Sequence, residues 1–132
     1  MNLQELLNKH PKLFGKSNDR TCYHLFGIET GPGWYGLIDD MCTELEALNL
    51  NFPIVFNQIK EKYGSLRIYI ESGTDEVYAI IDKYEAKSEY VCEQCGDDKT
   101  SKIRSTGSDG HGWLYCACDS CYEKIIKRDT EE

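Results

Sequence analysis

The chain has 132 residues and a formal net charge of −8; 40% of its residues are apolar, and it carries nine tyrosines and two tryptophans. That length supports one core with at most a small appended module, and the apolar share excludes a globally disordered chain. The acidic balance counts against general affinity for phosphate backbones or membrane headgroups and favours basic protein partners. No apolar run approaches the roughly 18 residues of a membrane span. The opening MNLQELLNKH has no cationic flank followed by an apolar stretch, so a cytoplasmic location is expected.

Leu3, Leu6 and Leu7 recur at helical spacing and predict a first helix over about 2–9, ended near Pro11. Residues 15–33 read mostly as connection, with a candidate short strand over Thr21–Phe26. The Cys22-x-His24 pair within it reads as incidental. Trp34, Leu37, Ile38, Met41, Cys42, Leu45 and Leu48 then form a wide apolar stripe, predicting a helix over about 34–48. Asp39, Asp40, Glu44 and Glu46 are expected on its other faces. Leu66, Ile68 and Ile70 alternate with Arg67 and Tyr69, the mark of a half-buried strand. Ile54–Ile59 is the expected antiparallel partner, which gives a hairpin over about 54–70 with Gly64 in its turn. Thr74 reads as an N-cap with Asp75 and Glu76 in the first turn, opening a third helix over about 74–88.

With no secretory leader expected from the opening residues, seven cysteines point to metal ligation more than to disulfides. Cys92-Glu-Gln-Cys95-Gly96 has the shape of a zinc knuckle, the glycine permitting a tight turn after the second ligand. Cys118-Asp-Ser-Cys121 follows after 22 intervening residues. Two such pairs complete a tetrahedral site, so one structural Zn²⁺ is expected on Cys92, Cys95, Cys118 and Cys121. Ile103–Ser105 and Trp113–Ala117 can pair as a hairpin around Gly107–Gly110, and the segment after Cys118 is helical, with Tyr122, Ile125 and Ile126 on one side. Knuckle, hairpin and a helix carrying the last ligands describe a treble clef. Cys116 is an alternative third ligand, because strand alternation puts it on the same face as Cys118. Cys42 reads as core packing, and Trp113 is expected to pack on the finger. The whole is an α+β protein: an acidic body over 1–90, its helices packed on a hairpin or small antiparallel sheet, then a four-cysteine zinc-binding module over 91–132.

No catalytic set accompanies the metal. An HNH-type nuclease needs a His or Asn on the helix after Cys118 in addition to His111, and that helix has neither. A zinc deaminase needs His-x-Glu, which His10, His24 and His111 all lack. Nucleic-acid binding is the second reading. Its basic patch would be Lys102, Arg104, Lys124, Lys127 and Arg128, yet from Cys92 onward six basic residues face nine acidic ones, a net of −3 before any metal is counted.

The ordered segments GWYGLIDDMCTELE, IKEKYGSLRIYI, CEQCG and GWLYCACDSCY together resemble a group of small uncharacterised proteins encoded in bacteriophages and prophages. The likeness covers roughly residues 33–122. It implies a treble-clef ending and a phage-related, cytoplasmic setting, and it brings no activity with it. Cys116 departs from the group, where a threonine-like residue is expected. The expected role is therefore non-enzymatic: a zinc-stabilised acidic protein that binds another protein, such as an inhibitor of a host defence or nucleic-acid-processing factor. The alternative is a nucleic-acid-binding regulator that uses the finger.

Overall fold

The computed structural model describes residues 1–14, 27–106 and 112–130. The candidate strand over Thr21–Phe26, the Cys22–His24 pair and His111 lie outside the described residues. The architecture is mixed α+β with a C-terminal cysteine cluster. No described helix is long and apolar enough to cross a membrane.

Helix α1 spans Leu3–Lys9, and the Asn2 side chain accepts the Glu5 N–H as its N-cap. Pro11 does not simply end it. A second short helix, α2, spans Pro11–Phe14, because proline at the first helical position gives up an N–H that would have had no partner there anyway. Its Leu13 and Phe14 are buried, and Phe14 stacks on Phe56 with ring centroids 5.5 Å apart. Strand β1 is only Ile28–Glu29. A 3-10 turn over Pro32–Trp34 then leads into α3, Tyr35–Ala47, which buries Ile38, Met41, Cys42 and Leu45. Trp34 is fully buried at the head of that helix. Cys42 lies in the core as expected, and desolvation pushes its thiol far up.

The hairpin is longer than its apolar pattern suggests. Strand β2 spans Phe56–Lys62 and β3 spans Ser65–Ile70, so Lys60, Glu61 and Lys62 are strand residues, while Ile54 precedes it. Tyr63 and Gly64, both with positive φ (56° and 82°), form a two-residue connection that fixes the register at Lys62↔Ser65. Between Phe56 and Gln58 the register shifts. Phe56 and Ile59 are three residues apart and would face opposite sides of a regular strand; the irregularity lets both be buried. The sheet is not purely antiparallel, since β1 pairs with β2 in parallel through Ile28↔Ile59.

Helix α4, Asp75–Ser88, is capped by Thr74, whose Oγ1 accepts the Val77 N–H at 3.3 Å. It buries Val77, Ile81 and Tyr84 and closes the outer side of β3. The outward N–H groups of Leu66 and Ile68 donate to Ser88 Oγ (2.9 Å) and Glu85 Oε2 (2.8 Å). An otherwise open sheet edge is satisfied by helix side chains.

Two acidic residues of α3 are not where the apolar stripe puts them. Asp39 is buried and Glu46 half-buried. The reason is His10, which lies between α1 and α2 and is itself buried. Its Nε2 is 2.6 Å from Asp39 Oδ1, its Nδ1 meets Glu46 Oε1, and Lys9 Nζ reaches Asp39 Oδ2 at 2.9 Å. Burial opposes the Asp39 charge, but Lys9 and His10 hold its carboxyl below the usual aspartate range. Glu44 pairs with Lys83 and the Tyr84 hydroxyl across α3 and α4.

After α4 the chain forms the Cys92–Gly96 turn, then strands β4, Lys102–Ser105, and β5, Leu114–Ala117, paired antiparallel, then helix α5, Asp119–Thr130.

Candidate metal centre

The knuckle is built by backbone. Gly96 N–H donates to Cys92 O at 2.9 Å, with Gly96 at φ +84°, a conformation that favours glycine. Cys92 N–H reaches Asp97 O at 2.8 Å. Beyond it, the Asp97 carboxylate accepts the N–H groups of Lys99 and Thr100, which hold it below its ordinary range.

The second pair sits where β5 gives way to α5. Cys118 precedes the helix and Cys121 lies in its first turn, with Cys121 N–H 3.5 Å from Cys118 Sγ and Tyr122 N–H bonded to Cys118 O. Thr100 Oγ1 accepts the Asp119 N–H at 3.0 Å and so satisfies one of the orphan donors at the helix start. The helix is held to the hairpin by Tyr122, whose hydroxyl donates to Ser105 O (2.6 Å) and whose ring lies 5.0 Å from the Arg104 guanidinium.

The sulfur atoms of Cys92, Cys95, Cys118 and Cys121 all lie within 4.8 Å of one another. Sulfurs bound to one zinc at about 2.3 Å in a tetrahedron are roughly 3.8 Å apart; Cys95 and Cys118 are 3.6 Å apart. The set therefore fits a single ion of zinc's size and softness. Burial raises the Cys92 thiol, but the backbone N–H groups of Cys118, Cys95 and Gln94 outweigh it and bring it down to about 7. Cys121 is raised, by burial first and then by its sulfur neighbours.

Cys116 stands apart from this cluster. It is buried in the body's core, and its Sγ is 3.1 Å from both Ser88 O and Val91 O. Burial pushes its thiol up to about 12. Alternation along β5 does not bring Cys116 and Cys118 together, because the strand ends at Ala117 and Cys118 already belongs to the turn into α5.

The metal centre has an open flank. Cys95 is exposed, and a groove of about 460 Å³ beside it is lined by Gln94, Tyr115, Lys124 and Ile125. Trp113 is 79% exposed, so it does not pack on the module as its loop context suggests. Of the five basic residues considered as a nucleic-acid patch, Arg104 is engaged internally: Nε donates to Ala117 O, and a terminal nitrogen bonds both Thr100 O and Asp119 Oδ1. Lys102, Lys124 and Lys127 are exposed, and Arg128 lies on α5.

No protein-family model, curated protein or solved structure matches the chain.

Proposed function

We propose that the chain is a non-enzymatic, zinc-stabilised acidic protein that acts by binding the basic surface of another protein. The observation that carries this reading is the donor set. Four converging thiols supply every position of a tetrahedral zinc and leave none for water or substrate, which is the mark of a structural and not a catalytic centre. The order of knuckle, β4–β5 hairpin and α5 supports a treble clef over 91–132, following the acidic body over 1–90. The bound centre, four thiolates against one Zn²⁺, adds about two further negative charges to a chain already at −8.

In the phage-related setting that the sequence resemblance implies, the partner is a host defence or nucleic-acid-processing enzyme. The acidic surface would occupy its basic cleft as an inhibitor in the host cytoplasm. Arg104's internal engagement favours this protein-binding reading over nucleic-acid regulation by the finger.

Affinity capture from host lysate, with mass spectrometry at low and raised salt, tests the proposal. A specific basic partner whose capture weakens with salt is expected. Absence of any specific partner ends the reading. A salt-dependent shift of DNA or RNA, lost when Lys124, Lys127 and Arg128 are changed to Glu, transfers the function to the finger as a nucleic-acid binder.

A further inference from the structure

The knuckle does not stand on its own hairpin alone. It is seated on Gly31-Pro32-Gly33-Trp34, about sixty residues earlier in the chain, through three hydrogen bonds. Gly33 N–H donates to Glu93 O at 2.7 Å, Gly31 N–H to Glu93 Oε2 at 2.8 Å, and the Trp34 indole to Val91 O at 2.7 Å. The two backbones approach so closely that side chains are excluded. A Cβ on Gly33 would lie 2.1 Å from Cys92 O, and one on Gly31 would lie 2.5 Å from Glu93 O. Neither glycine is among those with positive φ, so close approach, not backbone conformation, is what demands glycine here.

The atom that a Gly33 side chain would strike matters most. Cys92 O accepts the Gly96 N–H, the bond that closes the knuckle and sets the separation of Cys92 from Cys95. The same Cys92–Glu93 peptide is held from its other side, where Glu93 N–H donates to Cys116 O. Trp34, fully buried, roots the seat in the body's core.

We propose that Gly31 and Gly33 are positioning residues of the metal centre, holding Cys92 and Cys95 at metal-ready spacing, so that metal binding and closure of this seat stabilise each other. The proposal rests on reading the four cysteines as a metal site. Reciprocity follows: whatever factor the seat adds to metal affinity, metal adds to closure of the seat. The start of α3 thereby senses metal loading at a distance along the chain, through contact in space.

The test uses the full-length chain and Zn²⁺ in competition with a chromophoric chelator. Gly33→Ala should weaken zinc binding on the order of tenfold or more, within the usual range of couplings between sites, and Gly31→Ala should act in the same direction. Gly36→Ala is the control, because a Cβ there meets nothing within 4 Å; its affinity should match wild type. Gly33→Ala binding zinc as tightly as wild type overturns the proposal. If that variant does not fold, wild-type protein decides alone. Hydrogen exchange at the Gly31 and Gly33 amides and the Trp34 indole should accelerate on metal removal while the Ile59–Ile68 ladder keeps its protection. Unchanged exchange at 31–34, or equal loss throughout the β2–β3 ladder, overturns the proposal. If wild type takes up no zinc, the metal reading itself fails and this inference falls with it. Tight wild-type binding with an indifferent Gly33→Ala sinks the seat alone.

Discussion

Among the described residues, the body gathers eighteen buried side chains into one continuous core, one of them Cys116 from β5. The cysteine module gathers four, and two of those, Cys92 and Cys118, are candidate ligands. Fully burying an aliphatic side chain contributes about 2 kcal/mol, so Ala117 and Ile125 cannot hold the module against the entropy of ordering its chain. A structural zinc contributes on the order of 10 kcal/mol to folding of such a unit. On the proposed zinc reading, the body is a hydrophobic fold and the module a metal-dependent one, although they share a boundary at Cys116 and Glu93.

Breaking the metal site is the largest perturbation available. Chelation under reducing conditions, or Cys95→Ser, should abolish stoichiometric zinc and remove amide protection from the β4–β5 hairpin and α5, while the β2–β3 ladder persists. The effect should be on the order of 10 kcal/mol within the module. Simultaneous collapse of both regions in an amide-resolved spectrum would erase the distinction between them. The converse perturbation is Ile59→Ala. This side chain is fully buried in the middle strand, and its loss should cost the body about 3 kcal/mol in denaturant unfolding, with zinc stoichiometry unchanged. Loss of zinc in that variant would show that the module depends on the body's core as well as on its metal.

The four cysteines were legible because two Cys-x-x-Cys pairs at finger-like spacing carry their chemistry in residue type alone. The helices over 34–48 and 74–88 were legible from apolar spacing, and Thr74 from its place before an acidic first turn. What could not be read were features made by contacts distant in sequence. Asp39 and Glu46, seven residues apart, share one helix face, but only the arrival of His10 makes that face an interior one. Gly31 and Gly33 look like ordinary loop glycines until Cys92 and Glu93 are laid against them. The irregularity between Phe56 and Gln58 hides Phe56 from any period-two count, and β1 is too short to have a period at all.

His10→Ala probes the body's buried polar contact. It leaves Asp39 with Lys9 as its remaining partner and should cost about 2 kcal/mol, the usual consequence of depriving a buried acceptor of its donor. Because the folded Asp39 carboxyl is held below its ordinary value of 3.8, its stabilisation is present above that pH and disappears as pH falls through the lower folded value. Glu85 has the opposite sign. Burial raises its carboxyl, so protonation in milder acid, above 4.5, relieves the folded state. Acid also strips metal from thiolates, so the measurement belongs at the α1 amides, for instance Leu6 N–H, over a series from about pH 5 to pH 2 spanning both carboxyl ranges. Wild type should lose α1 protection steeply at the acid end, and His10→Ala should show a shallower loss. Equal slopes would remove the role assigned to the Asp39–His10 contact.

The smallest expected effect is the sharpest test of where one region ends and the other begins. Thr74→Ala removes the side-chain acceptor for Val77 N–H and should cost about 1 kcal/mol, with Thr74→Ser restoring most of it. The same helix ends at Ser88, whose hydroxyl receives Leu66 N–H and whose carbonyl contacts the Cys116 sulfur beside the knuckle. Fraying at the Thr74 end stays within the first turn if α4 is held along its length by Val77, Ile81 and Tyr84. Zinc affinity should then be indifferent to the cap. A measurable weakening of zinc binding in Thr74→Ala would mean that α4 transmits its end-to-end register as a rigid rod. The metal would then be tied to the body through Ser88 and Cys116 as well as through Gly31 and Gly33.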